Sequence, residues 1–378
     1  MEIIFAVSIF SIFFAYCGYP FSLYLVGFVR NKRVGKAPLL PRLTLIVTVH
    51  NEEKRIREKL DNTVALDYPR EKLQILIASD GSTDRTNEIV RDYREREIEL
   101  IEISERKGKE NAQKEAVRRA HGEIVVFTDA ATMLDPGGLK EIVSNFADPS
   151  VGCVSSEDRL VGKDGKPCGE GFYVRYEMWL RRLESRVNSL VGLSGSFFAA
   201  RKEVCQDFSE EMQSDFRTLL TGIKLGFRGV SDPYAIGRYE DIADERSEFE
   251  RKVRTVLRGL TVFFRNLEFL NFAKYGFFSY QYFCHKLLRW LVPIFLFAAF
   301  VSNVILGAKS FPYLILFLGQ MLFYFLAFWG RKRGNFSQRM LIKIPSYFFT
   351  VNAGTFVAWW RYLRGDRVVM WTPSQRKL

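Results

Sequence analysis

The chain has 378 residues, 48% of them hydrophobic, with a net charge of +12 and a mean hydropathy close to zero. That length is enough for one full-sized catalytic domain with membrane segments, or for two modest soluble domains. Five scattered cysteines (Cys17, Cys153, Cys168, Cys205, Cys284) show no C-x-x-C spacing, which argues against a disulfide framework and a structural zinc site. The basic excess accompanies no nucleic-acid motif and flanks apolar runs, as in Arg30, Lys32, Arg33 and Lys36 and again in Arg331, Lys332 and Arg333. Membrane lipid, not nucleic acid, is therefore the expected anionic partner.

In chain order, the first element is the run from Ile3 to Val29, which holds no charged residue and is long enough to span a bilayer. Glu2 in place of a basic start, the length of the run and the lack of an A-x-A site favour a retained transmembrane anchor, residues 1–29, over a cleaved signal peptide. Residues 42–245 then read as an α/β domain. LTLIVTV, LQILIAS, IELIEIS and EIVVFTD are four strand-like runs, alternating with helical stretches from Glu52 to Ala65, Asp84 to Arg96 and Lys109 to Ala120. Such alternation predicts a Rossmann-like, mainly parallel sheet, with the ligand site beyond the carboxyl ends of its strands.

Residues 246–289 mix Phe, Tyr and Leu with Arg265, Lys274, Lys286 and Arg289, the pattern of amphipathic helices lying at the lipid headgroups. Trp290 to Ala308 and Ser310 to Gly330 are charge-free and separated by Lys309, predicting a transmembrane hairpin over 290–330. The basic clusters on both its flanks place the α/β domain in the cytoplasm of a multi-pass membrane protein. Residues 341–361, with the apolar stretch Ile344 to Trp360, form a further transmembrane or re-entrant helix, and 362–378 a basic tail.

The strand ends carry the chemistry. The first ends in His50-Asn51-Glu52, the second in Ser79-Asp80-Gly81-Ser82-Thr83-Asp84, and the fourth in Thr128-Asp129-Ala130-Ala131. Asp84 alone reads as a helix cap, but acids at three neighbouring strand ends point to a ligand site. Carboxylates accept from a base N–H or from ribose hydroxyls, while a lysine such as Lys109 can face a diphosphate. The chain has no G-x-x-x-x-G-K-[ST], and no G-x-G-x-x-G follows the first strand, so neither ATPase nor dinucleotide chemistry is indicated.

PRLTLIVTVHNEEKRIREKL, YPREKLQILIASDGSTDRTNEIV and GKENAQKEAVRRAHGEIVVFTDA resemble the donor-binding half of the family 2 glycosyltransferases, which have the GT-A fold. LSGSFFAARKEV, SDFRTLLTGIKLGFRGV and ERKVRTVLRG continue the likeness, and HKLLRWLVPIF is similar to the membrane region of bacterial exopolysaccharide and cellulose-synthase-like members. The resemblance implies an inverting hexosyltransferase of the bacterial inner membrane. Such an enzyme takes a sugar from a nucleotide-sugar donor, here expected to be a UDP-sugar. The acceptor is a polysaccharide or lipid-linked glycan of cell-surface synthesis, with polysaccharide-synthesis proteins as further partners.

Carried over residue by residue, the resemblance puts Val49, Asn51, Glu52, Asp80, Lys109, Asp129 and Ala130 in the donor site, with Glu52 and Asp80 on the uridine. Gly195, Ser196, Arg251 and Arg254 fall to the acceptor or diphosphate. Asp129 is the first acid of the D-x-D element and the ligand for Mg²⁺ or Mn²⁺, and Asp215 is the general base. The chain departs from the pattern at three positions: Ala131 replaces the second D-x-D acid, Ser214 the acid before the base, and Thr255 the tryptophan of Q-x-x-R-W. These departures motivate a second reading, a non-catalytic nucleotide-sugar-binding scaffold subunit. The loops expected to choose the sugar run from Ser156 to Arg175 and from Gly192 to Ser196.

Overall fold

The computed structural model describes residues 1–161, 172–206, 212–240, 245–332 and 340–368. Part of the sugar-selecting loop (162–171) and the basic tail beyond 368 therefore lie outside the described residues. The chain forms two compact units, one from Leu23–Ala243 and the other from Met1–Ser22 with Asp244–Arg367.

The first unit is built on one eight-stranded sheet. Its strands are β1 (Leu43–Val49), β2 (Leu73–Asp80), β3 (Ile98–Ile103), β4 (Ile124–Asp129), β5 (Met133–Leu134), β6 (Val151–Val161), β7 (Phe197–Arg201) and β8 (Arg228–Glu240). The spatial order is β3-β2-β1-β4-β7-β6-β8-β5. The four strands read from the sequence make the parallel block, with β1 between β2 and β4. β7 joins antiparallel to β4 and β6, β8 runs parallel to β6, and β5 closes the edge antiparallel to β8. The sheet is thus parallel over β1–β4 and mixed beyond it.

All seven residues of β1 are buried, because helices cover both faces of the sheet, the usual setting of a parallel sheet. Alternate residues divide between the faces. Leu45, Val47, Ile75 and Ile77 pack with Ile56 and Leu60 of α3 (Ile56–Val64) and with Val90 of α4 (Thr86–Arg91). Ile46, Leu76, Val125 and Phe127 pack on the other face with Ala112 and Ala116 of α5 (Lys109–Arg119). The three helices predicted from the sequence are present, the third starting at Lys109 as expected. The first two start later because residues 52–55 and 84–85 serve as strand-to-helix loops, and the second ends at Arg91, short of Arg96. The unit is completed by α6 (Gly138–Ser144), α7 (Phe172–Val187) and α8 (Ser214–Lys224). The segment after Val29 is clasped by Arg228, whose guanidinium donates to Lys32 O (2.8 Å) and Arg33 O (3.3 Å) and pairs with Asp148 at 2.9 Å.

The second unit is helical. α1 (Glu2–Phe13) runs through a π-turn into α2 (Tyr19–Val29), which continues into the first unit. α9 (Glu245–Arg265), α10 (Phe272–Tyr275), α11 (Phe277–Tyr282), α12 (Arg289–Gly307), α13 (Phe311–Lys332) and α14 (Met340–Leu363) follow. Among the described residues three helices are long and apolar enough to cross a membrane: Glu2–Val29, Phe277–Gly307 and Phe311–Gly330. The middle one starts at Phe277, earlier than the hairpin boundary at 290, because α11 passes into α12 through a π-helical segment, Phe283–Leu288, without a break. Its Arg289 is matched locally, facing His285 at 3.2 Å and stacking over Tyr16. α14 is one continuous 24-residue helix through Pro345. Its Thr350, Asn352 and Thr355 side chains bond to backbone carbonyls four residues earlier, while Ser346 and Trp359 reach Ala327 O and Trp290 O. These side-chain donors thus find internal acceptors, whereas the buried Asn352 Oδ1 accepts no hydrogen bond.

Candidate active site

The carboxyl ends of β1, β2 and β4 converge in the first unit, as parallel pairing in register requires. Val49 is the fully buried last residue of β1. Beyond it Asn51 adopts φ 52°, a left-handed conformation unusual for a residue with a side chain. Its amide Oδ1 accepts the Thr83 N–H at 2.8 Å, which ties the β1 loop to the β2 loop. Glu52 is buried, its N–H donates to Thr86 Oγ1 at 2.8 Å, and its carboxylate lies 3.7 Å from Arg55. Asp84 behaves as a cap, accepting from the Thr86 and Glu53 amides. Between these loops Gly81 has φ +60°, and a Cβ there would stand 2.7 Å from Arg106 N. Only glycine fits that turn.

Asp80 is fully buried and its carboxylate accepts from the Lys107 N–H (2.8 Å) and the Gly108 N–H (2.9 Å). The geometry fixes the loop leading into α5 and so aims Lys109, the first residue of that helix. The Lys109 ammonium lies 2.5 Å from Asp129 Oδ1 and 3.1 Å from Gly195 O. Asp129 ends β4, its N–H donates to Ser196 O at 3.1 Å, and its own carbonyl accepts from Thr132 N–H at 3.1 Å, closing a tight turn over Ala130 and Ala131. Ala130 is buried beneath it.

Gly195 joins this group to Asp215. A Cβ on Gly195 would stand 2.8 Å from Asp215 Oδ2, so the absence of a side chain lets the carboxylate sit against the loop backbone. Asp215 lies in the first turn of α8, its Oδ1 accepting the Phe216 N–H at 2.7 Å and its Oδ2 the Gln213 amide at 3.0 Å. Asp129, Lys109, Gly195, Ser196 and Asp215 are therefore one constellation, drawn from β4, α5, the loop before β7 and α8. Arg251 and Arg254 belong to α9 in the helical unit. Burial beside the like charges of Arg258 and Arg251 lowers the Arg254 guanidinium below its usual range.

Two residues of this region were not singled out by the sequence. Asp158 on β6 accepts hydroxyl hydrogen bonds from Ser194 (2.7 Å) and Ser196 (2.6 Å), gripping the loop on both sides of Gly195. Lys59 of α3 is fully buried and donates to Thr128 Oγ1 at 3.2 Å and to Thr132 O. Burial pushes its amine down to about 7, against the opposing pull of the Asp129 carboxylate. A lone Asp in a strand and a Lys in a charged helical stretch have no pattern that marks them. Lys59 at the apolar position between Ile56 and Leu60 was the available signal.

Residues 44–208 match Glycosyl transferase family 2. The poly-beta-1,6-N-acetyl-D-glucosamine synthase of Staphylococcus aureus (strain COL) is 32% identical over 205 residues, covering 51% of this chain and 49% of that protein. The synthase of the same name from Staphylococcus epidermidis is 25% identical over 170 residues, covering 44% and 40%. The chain thus spans about half the length of the curated relatives it matches. Among solved structures, the mannosyltransferase PcManGT from Pyrobaculum calidifontis, in complex with GDP-Man and Mn²⁺, superposes with a TM-score of 0.75 at 25% identity, covering 97% of this chain and 99% of that one. With the donor-side strand ends, the mixed sheet and these likenesses in agreement, residues 44–208 belong to glycosyl transferase family 2.

Proposed function

We propose that this protein is a membrane-embedded inverting glycosyltransferase that moves a hexose from a nucleoside diphosphate sugar to a glycan or lipid-linked hydroxyl. The observation that carries this reading is the meeting of Asp129, Lys109 and Asp215 around Gly195. Asp215 takes the proton of the acceptor hydroxyl as the hydroxyl oxygen attacks the anomeric carbon. The bond from that carbon to the β-phosphate oxygen breaks on the opposite face, and the diphosphate leaves with the bonding pair. The Lys109 ammonium, released in part from Asp129, meets the negative charge that grows on the departing phosphate. The strand-end loops carrying Asn51, Glu52 and Asp80 hold the nucleoside.

A divalent cation fits this site in one way. Among the described residues no group of three His, Cys, Asp or Glu could hold a metal alone, and Ala131 supplies no second acid. Asp129 would hold the ion together with donor phosphate oxygens, since Mg²⁺ is normally bound by one or two carboxylates plus substrate phosphates. When bound, the cation would neutralise diphosphate charge.

For the donor base, the relatives point two ways: a GlcNAc-polymer synthase matches the domain, and a GDP-Man complex matches the chain end to end. The full-length likeness supports testing GDP-mannose beside the UDP-sugar expected from sequence. Cytoplasmic placement of the first unit rests on the basic flanks of the apolar helices. The test is nucleotide release from GDP-mannose, UDP-GlcNAc and UDP-glucose by membranes containing the protein, with Mn²⁺, Mg²⁺ or chelator. Release from one donor above membranes lacking the protein supports the reading and names the base; release from none contradicts it.

A further inference from the structure

Lys59 is a fully buried lysine whose two hydrogen-bond acceptors, Thr128 Oγ1 and Thr132 O, are both uncharged. Removing an ammonium from water without a carboxylate partner costs several kcal/mol, so such a residue persists where its position is needed. The two acceptors bracket the turn that presents Asp129: Thr128 precedes it and Thr132 closes the turn by donating to Asp129 O. Three residues further along α3, on the same helix face, Asn62 accepts the Leu134 N–H and donates to Leu134 O, both at 2.9 Å. One face of α3 therefore grips the chain at residues 128, 132 and 134.

The grip matters because of what the turn lacks. With alanine at 131, a cation cannot draw the turn together through two carboxylates. We propose that Lys59 is a positioning residue for the donor site: its buried amine holds both ends of the Asp129 turn, so that the site stays assembled for the nucleoside diphosphate without a bound cation. The inference rests on the glycosyltransferase reading and adds to it an internal device that takes over an organising task of the metal.

The test is binding of GDP and UDP to the purified full chain by calorimetry, in chelator and in Mn²⁺, alongside thermal unfolding. The wild type is expected to bind one of the two nucleotides in chelator within about tenfold of its Mn²⁺ affinity. Lys59→Met, which fills the space without an amine, is expected to bind at least about tenfold more weakly than wild type in chelator and to recover most of that loss in Mn²⁺. Thr128→Val, which removes one acceptor and keeps the shape, should move in the same direction by less, and it reads the proposal even if Lys59→Met does not fold. A merely structural role would lower unfolding temperature and binding equally in both buffers. Folded variants that bind like wild type in chelator would overturn the role of Lys59, as would a wild type that binds only with Mn²⁺. Binding of neither nucleotide in either buffer would instead contradict the donor reading itself.

Discussion

Gly195 turns its bare α-carbon toward Asp215, and a methyl group placed there would stand 2.8 Å from the carboxylate Oδ2. The same residue's carbonyl receives the Lys109 ammonium at 3.1 Å. One backbone unit thus spaces the proposed base, Asp215, from the Lys109–Asp129 pair. Gly195→Ala should push Asp215 aside while leaving the nucleoside loops untouched. A displacement near 1 Å costs on the order of 100-fold in rate. Steady-state kinetics should show kcat falling by about that factor with donor KM changed less than about threefold.

Asp158 acts on the same loop from the other side, its carboxylate accepting from Ser194 and Ser196. Asp158→Asn keeps the shape but exchanges charge-assisted hydrogen bonds for neutral ones, which are roughly half as strong. The expected result is a drop of about tenfold in kcat/KM, with Ser194→Ala in the same direction and a smaller effect. An unchanged kcat/KM in Asp158→Asn would remove this residue from the site's support.

A third prediction concerns acid stability. Burial alone would raise the Asp148 carboxyl, but hydrogen bonds from Ser150, Arg228 and Gly35 outweigh it and hold the group at about 2, below the usual 3.8. A depressed carboxyl gives stability that is complete above the unfolded value and is lost as pH falls through the folded one. The window is therefore from about 4 down to about 2. Asp148→Asn should lower the unfolding temperature at neutral pH and flatten the acid limb of the stability profile between those values. The effect arises where Arg228 clasps the segment after Val29.

The donor half of the sheet was legible because each of its strands is a short apolar run ending in polar residues. β1 coincides with the predicted LTLIVTV, and β4 with EIVVFTD less its first residue. β6, β7 and β8 were not, since their sequences mix Ser, Arg and Glu with small apolar residues, as in VGCVSSEDRLV. Asp80, Lys109 and Asp129 stood out as polar residues at strand and helix ends, whereas Asp215 was named only through the family resemblance. Asp158 and Lys59 act through contacts with residues distant in sequence, which no local spacing encodes. In the helical unit the apolar length of 290–330 was readable, whereas the continuation from Phe277 depends on helix geometry across His285, Lys286 and Arg289.

The central claim, that Asp215 is the base of a transfer reaction at the Asp129–Lys109 donor site, is tested most directly by pairing turnover with nucleotide binding in Asp215→Asn. The side chain keeps its size and its place in the first turn of α8 but cannot take the acceptor proton. Nucleotide release with the preferred donor should fall by about 100-fold to 10,000-fold, while affinity for the nucleoside diphosphate stays within about threefold of wild type. Turnover within about threefold of wild type would contradict the assignment and leave the constellation around Gly195 as a binding site whose base lies elsewhere.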